Sequence, residues 1–429
     1  MCKMVRLCCS VVSMALTASV FAAPAPVKET IAQRIEIFQQ LPARRAAALR
    51  GLIERFNAQN KAYQVALVEH DWHAQKTPHL LILSGDGEEA FLAGKPRFRP
   101  LHVVMKEAGA ALQTLRPSAA MSSTPVDAKG LLRALPIGMS TPVLYVNRDA
   151  LRRAGLDPDH ARLSTWRDLQ NTLAQLADSG STCPYTVAEP GRVMVENQSA
   201  WHNVPVALVR NRKAQPAFNG FFQVRHVAQM ASWVRARYLH VFANRAEAEQ
   251  RFVSGECAMI AAPSDSWVDF RRQEGFDVAV TRLPYYDDLP GAPQNTLADG
   301  PSLWVSAGKK AIEYKGVASF VRFWLQAENQ AAWQRETGYL PLNRAGLLAA
   351  RSDLPENDVD NTGNDVDNIQ VAVDQLTLKP ATSVSAAQAV VGRETVRQVL
   401  DEELAAVWAD HKATKAALDN AVARLAPGK

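Results

Sequence analysis

The densest cluster of potential metal ligands in the 429-residue chain is His70-Asp71-Trp72-His73, with His79 six residues further on. Three imidazoles within ten residues supply enough donors to begin a zinc-type site. No two of them stand at the i,i+4 spacing that pairs ligands on one helix face, and His79 opens the apolar run His79-Leu-Leu-Ile-Leu83. Ordinary surface or packed histidines are therefore expected, and no metal. Asp86, Glu88 and Glu89 follow Gly85 just after that run, where α/β proteins often place ligand contacts. With no nucleophile or base nearby in sequence they make no catalytic pair. A G-x-S-x-G elbow, a Walker phosphate loop and a glycine fingerprint behind a strand are all missing, so neither an enzyme nor a cofactor is expected. Asn357-Asp-Val-Asp-Asn361, echoed at 364–368, resembles a calcium loop. Counted from Asp358, however, Thr362 stands at position 5 and Ile369 at the required acidic position 12. A solvated acidic loop is the expectation there.

The elements that would position these residues alternate. Arg34 to Phe38 reads as a first strand, and 43–59 as a helix with Leu49, Leu52, Ile53 and Phe56 on one face. Tyr63 to Val68 is a second strand, and His79 to Leu83 has the continuous apolar character of a strand buried on both sides. Helical stretches recur near 100–115, 145–155, 164–178, 226–239, 244–252, 310–326 and 395–424. Strand-like runs lie at Leu132–Pro136, Ala258–Ala262, Val278–Leu283 and Ser302–Val305. Such alternation indicates an α/β protein with mainly parallel sheets.

Residues 1–23 carry the marks of a secretory signal peptide. Lys3 and Arg6 precede the short apolar run Val11 to Phe21, and cleavage is expected near Ala22-Ala23. That run is shorter than the about 20 residues a bilayer requires. Cys8 and Cys9 come before most of it, so neither is placed for lipid attachment. A chain free in the periplasm is expected, long enough for two domains. Cleavage removes two of the five net positive charges, and the remaining acids and bases interleave without a basic stripe, so nucleic acid is not an expected partner. Cys183 and Cys257 remain in the mature chain, where a disulfide and two separate buried thiols are equally compatible with the sequence.

From Pro136 onward the chain resembles the sn-glycerol-3-phosphate-binding proteins of bacterial ABC importers, within the larger extracellular solute-binding family that includes maltose-binding protein. The resemblance is carried by Ser140-Thr-Pro-Val-Leu-Tyr-Val-Asn147, Ala154-Gly-Leu-Asp-Pro158, Thr165-Trp166, Glu196-Asn197 with Ser199-Ala-Trp201, and Gly255-Glu-Cys-Ala-Met259. It continues through Ala292-Pro-Gln-Asn295, Ser302-Leu-Trp304, Thr337-Gly-Tyr-Leu-Pro341 and Asp401-Glu-Glu-Leu404 with Trp408. It implies two α/β lobes joined by a hinge around an interlobe ligand cleft, with 24–137 and 264–326 in the first lobe and 138–263 and 327–429 in the second. It also implies a monomer that captures a small polar solute, in particular a phosphate ester, and delivers it to an inner-membrane permease with its ATPase.

Carried over residue by residue, the resemblance places Ser140 at a ligand-contacting serine, Gly300 at a glycine whose amide approaches the ligand, Tyr339 at a phenol donor and Arg397 at the phosphate-binding arginine. Ser264 falls in the family's serine-rich turn, here Pro263-Ser-Asp-Ser266. Trp72 stands near an aromatic that contacts glycerol, and Asp86 is a displaced substitute for an acidic hydroxyl acceptor. The chain departs from the pattern in a shortened segment between Trp72 and Leu80. It departs again in Glu189 and Arg192, which stand where two tryptophans are usual and bring a charge pair toward the cleft. Trp304 reads as core. Two alternatives stay open: the same scaffold retuned to a sugar or other polyol, and a periplasmic sensor or interaction protein that no longer serves transport.

Overall fold

A computed structural model describes residues 32–72, 76–93, 97–110, 112, 126–127, 129–210, 213–273, 275–340, 359–380, 382 and 394–426. The expected signal peptide and His73 lie outside these residues. Among the described residues, twelve strands fall into two five-stranded sheets and a hairpin. The first sheet runs β2-β1-β3-β12-β4, from β1 (Gln33–Gln39), β2 (Tyr63–Leu67), β3 (Leu80–Leu83), β4 (Leu135–Pro136) and β12 (Ser302–Val305). The second runs β11-β5-β10-β6-β9, from β5 (Pro142–Asn147), β6 (Tyr185–Val187), β9 (Leu239–His240), β10 (Met259–Pro263) and β11 (Val278–Thr281). The hairpin pairs β7 (Ala207–Arg210) with β8 (Lys213–Pro216).

The pairing is more mixed than alternation alone suggests. β1 is parallel to β2 and β3, but β12 is antiparallel to both β3 and β4. In the second sheet β10 is parallel to β6 while β5 is antiparallel to both β10 and β11. β12 joins the first sheet only after the chain has passed through the second, so it arrives running the other way. Val278–Thr281 pairs with β5, so only the part of 264–326 from Ser302 onward belongs to the first sheet. The helix Ala327–Thr337, expected with the second lobe, places Trp333 in the core of the first, with its Nε1 donating to the Ile137 carbonyl at 2.7 Å.

Burial explains why these segments read as they do. In β3, Leu80 and Ile82 enter the core under the first helix, whereas Leu81 and Leu83 enter a second cluster with Phe91 and Trp304. All four are fully buried, which is why the run is uninterruptedly apolar. The helix Ala43–Gln59 buries Ala46, Leu49, Leu52, Ile53 and Phe56 against the same sheet. Each of its larger apolar side chains contributes about 1.5–3 kcal/mol. Asn60 ends it, its side-chain oxygen accepting from the Ala62 and Tyr63 amides as the chain turns into β2. Cys183 and Cys257 form a disulfide where the chain enters β6 and β10.

Three expectations are corrected. Tyr145–Asn147, read as the start of a helix, completes β5, and the helix runs Arg148–Arg153. The expected helix at 395–424 is two, Glu394–Trp408 and Thr414–Leu425, broken at Asp410, whose φ is 59°. The expected acidic loop enters a helix at Val359 that runs to Thr377, while Asn357 and Asp358 lie outside the described residues. Its Asn368 is buried and accepts the Tyr145 hydroxyl at 2.9 Å, a tertiary contact that makes this polar stretch worth folding. Among the described residues no helix is long and apolar enough to cross a membrane, and no cluster of metal-ligating side chains occurs. His79 is packed, its Nδ1 accepting the Glu36 amide at 3.0 Å.

Candidate functional site

The two sheets meet where the chain crosses between them, and there Ser140 and Asp299 pair backbone to backbone, each amide donating to the other's carbonyl at 2.9 and 3.0 Å. Gly300 follows with φ 153°, a conformation that favours glycine, and a β-carbon there would stand 1.8 Å from the Gly138 carbonyl. Its amide does not face open space but donates to Asp299 Oδ1 at 2.8 Å. Tyr339 closes this corner, stacked on Trp333 with the Arg45 guanidinium 4.7 Å above its ring.

Two further guanidiniums flank Ser140. Arg192 is 5 % exposed, and its Nη2 donates to the Ser140 carbonyl at 3.0 Å and to its hydroxyl at 3.2 Å. Its Nη1 donates to Glu189 at 2.9 Å. Arg397, on the helix Glu394–Trp408, donates from Nε and Nη2 to Glu196 Oε2 at 3.0 and 2.9 Å, and from Nη1 to Asp299. Charged forks of this kind are the strongest hydrogen bonds a buried site can make. Burial alone would raise the Asp299 carboxyl, but Arg397 and Arg192 hold it below its ordinary range. Burial would likewise lower Arg397, and Asp299 with Glu196 push it well up instead.

Arg192 and Glu196 stand together because residues Gly191–Asn197 form a wide, π-type turn, a geometry that recurs at functional sites. Gly191 permits it: a β-carbon there would meet Asp401 Oδ1 at 2.9 Å, and its amide donates to that atom at 2.7 Å. Burial, together with Glu189 and Glu196, pushes the Asp401 carboxyl up to about 6. Asp265, 2 % exposed, accepts Arg45 from the first helix and Arg245 at 3.3 Å. Burial opposes its ionisation, but Arg245, Arg45, Arg192 and the Ser140 hydroxyl together hold it far below the usual carboxylate range. Beside it, Arg44, Arg45, Arg245, Glu249, Asp269 and Thr337 line a cavity of about 370 Å³ between the first helix and the second sheet's helices.

On the opposite wall the strand ends of the first sheet carry aromatic residues. Trp72, 37 % exposed, packs edge-on against Phe38 and His70, with ring centres 5.7 and 4.7 Å apart. Gly85 opens the helix Gly85–Leu92, and a β-carbon on it would stand 3.2 Å from Glu394 of the facing helix. Glu394 is raised by burial and lies within the fields of Arg397, Asp86, Glu189 and Asp299. Thr395 donates to Glu89 at 2.9 Å across the same gap.

The description "bacterial extracellular solute-binding protein" matches residues 52–363. The chain belongs to this family. The solute-binding chain is 35% identical over 359 residues to the sn-glycerol-3-phosphate-binding periplasmic protein of Pectobacterium atrosepticum, covering 82% of itself and 79% of that protein. With the Escherichia coli K12 protein of the same description it shares 33% over 391 residues, 87% of each chain. Its two-lobed fold is that of UgpB from Mycobacterium tuberculosis in complex with glycerophosphocholine, with a TM-score of 0.69, 18% identity and 92% and 98% coverage. Maltose-bound MalE3 of T. maritima superposes with a TM-score of 0.66 at 16% identity, over 92% and 99% of the two chains.

Of the residues expected in the site, Ser140, Gly300, Tyr339 and Arg397 converge on the solute-binding chain's crossover. Ser264 adjoins them, but its hydroxyl accepts the Thr141 amide at 3.3 Å, so it braces the wall. Asp86 is exposed beside Glu394, and Trp72 lies on the first-sheet rim. Glu189 and Arg192 do form an ion pair, with Arg192 also donating to Ser140. Arg45, Asp265, Glu196, Asp299 and Glu394 were not anticipated. Asp265, an acid between two serines at the end of an apolar strand, carried the one signal that could have found it.

Proposed function

We propose that this chain is the periplasmic receptor of an ABC importer, capturing sn-glycerol-3-phosphate or a glycerophosphodiester between its lobes and presenting it to an inner-membrane permease and ATPase. The observation that carries this reading is the convergence of Ser140, Gly300, Tyr339 and Arg397 at the crossover, in a chain whose relatives of 33–35% identity bear that description. The lobes are taken as 32–137 with 302–337 and 138–299 with 359–426, working as a monomer and breaking no bond. Closure is hinge motion, favoured only by a ligand that binds the closed form more tightly. An incoming phosphate would take over the Arg397 fork from Glu196 and Asp299.

Calorimetric titration of the ligand-stripped mature protein with sn-glycerol-3-phosphate and glycerophosphocholine tests this reading. Saturable binding that weakens with salt and disappears in Arg397→Ala is expected. No heat at millimolar ligand overturns it. A second reading, a neutral polyol or sugar, draws support from one feature: carboxylates of the chain already occupy the forks of Arg192 and Arg397. A sugar or polyol that stabilises the protein where the phosphate ester does not would select it.

A further inference from the structure

Asp265 follows β10 and is fixed to the second sheet. Trp267 and Phe270 beside it pack in one cluster with Tyr145 and Ile260, and the Tyr145 hydroxyl donates to the Ser264 carbonyl at 3.1 Å. Arg245 opens the helix Arg245–Val253, whose Ala248 and Phe252 join the same cluster. Its Nη2 donates to Asp265 Oδ2 at 3.3 Å and to the Ser266 hydroxyl at 3.0 Å. Its Nε donates to Glu249 Oε1 at 2.6 Å, and the Ser266 hydroxyl donates to that same oxygen at 2.6 Å. Asp265, Ser266, Arg245 and Glu249 thus form a hydrogen-bonded socket carried entirely by the second sheet and its helices. Arg45 enters the socket from the other side. It stands in the first turn of the helix Ala43–Gln59, which packs on the first sheet, and its Nη2 donates to Asp265 Oδ2, the oxygen that also takes Arg245. Its guanidinium lies over the Tyr339 ring, itself part of the first sheet's core. Arg45 is partly buried and Asp265 almost wholly so, which spares the pair most of the salt screening that weakens exposed ones.

We propose that Arg45 is an interlobe clasp, whose bond to Asp265 holds the two lobes together in the solute-free protein, so that the resting chain is mostly closed. Both partners of that bond belong to the chain itself, and a charge-assisted hydrogen bond is among the strongest contacts available across a cleft. The clasp can also release. Arg245 stays on Asp265 when Arg45 departs, so parting does not strand a bare buried carboxylate, the event that makes most buried pairs hard to break. Arg44, Arg45 and Arg245 line the cavity of about 370 Å³, which gives the departing guanidinium water to enter. A solute shifts the balance further only by binding the closed form more tightly, and the clasp reduces the closing free energy that the solute must supply. The clasp needs two lobes that can part, not a particular solute, so it goes beyond the receptor reading and stands whichever solute the cleft takes.

Small-angle X-ray scattering of the full mature protein, stripped of ligand, tests the clasp. The Arg45→Met variant should show a larger radius of gyration than the wild type when both are ligand-free. Glycerophosphocholine should leave the wild-type radius unchanged and return the variant to it. Its affinity for the variant should be about tenfold weaker, the loss expected when only about a tenth of the molecules rest in the closed form. Equal ligand-free radii for wild type and variant overturn the clasp, as does a wild-type radius that shrinks on adding ligand. If glycerophosphocholine binds neither protein, it is the solute assignment that fails, and the two ligand-free radii still decide the clasp. Arg45→Gln takes the place of a methionine variant that does not fold. Failure of both to fold would make Arg45 a structural residue and overturn the clasp as well.

Discussion

On the wall built from the first sheet, Glu88 stands among Phe91 and Trp304, accepting the Trp304 indole N–H at 2.7 Å, with no ion pair among the described residues. Burial pushes its carboxyl up to about 7. On the wall built from the second sheet, Asp265 is more deeply buried, yet Arg245, Arg45 and Arg192 keep it ionised. Burial has the same sign at both positions, and the neighbouring cations decide the outcome. The comparison separates an aromatic wall, where burial governs the acid, from a charged wall, where neighbouring guanidiniums govern it.

The largest way to break this contrast is Asp265→Ala. It removes a buried carboxylate that two partly buried guanidiniums share and should cost about 3–5 kcal/mol in urea unfolding. A loss under about 1 kcal/mol would show that the arginines find solvent instead. Next comes the disulfide, which ties only the second sheet. Cys183 and Cys257 are 74 residues apart in sequence, and the chain-entropy account gives their bond about 4 kcal/mol. In the Cys183→Ala/Cys257→Ala double variant, hydrogen exchange should quicken at β6 and β10 before β1 and β3. Uniform acceleration would mean the sheets unfold together.

A pH series on Glu88→Gln sharpens the comparison. The folded-state value of about 7 lies above the usual 4.5. Burial of Glu88 is therefore tolerated below about pH 4.5 and becomes increasingly costly as pH rises through 7. The glutamine variant should match the wild type at pH 4 and exceed it by about 1–3 kcal/mol at pH 8. A constant difference across that range would show that charge is not the cause. The smallest effect belongs to Arg44→Ala at the outer edge of the charged wall. Its partner Asp269 is more than half exposed, and such pairs contribute about 0–1 kcal/mol. A melting temperature within a few degrees of the wild type is expected, and a larger drop would make that pair a true interlobe latch.

The helix at 43–59 and the strands around Arg34–Phe38 and His79–Leu83 were legible because their signal is periodic and local. A helix face repeats every three to four residues, and a doubly buried strand tolerates no polar side chain on either face. Tyr145–Asn147 misled for the opposite reason. It runs directly into the helix-forming residues Arg148–Arg153, and pairing with β10 and β11 holds it extended. The polar helix starting at Val359 gains its purpose from the buried Asn368–Tyr145 contact, which spans 223 residues and leaves no local trace.

By itself the sequence determined the α/β alternation, the family and the list of side chains available to a ligand, since all three rest on residue type and order. Tertiary structure alone decided that Cys183 meets Cys257, that Ser264 braces the wall, and that Gly300's amide is already engaged. It also decided that Arg397 lies between carboxylates 201 and 98 residues away in the chain. A guanidinium shows in the sequence as a charge, but its chemistry depends on which oxygens fill its fork, and those come from strands and turns that only the folded crossover brings together.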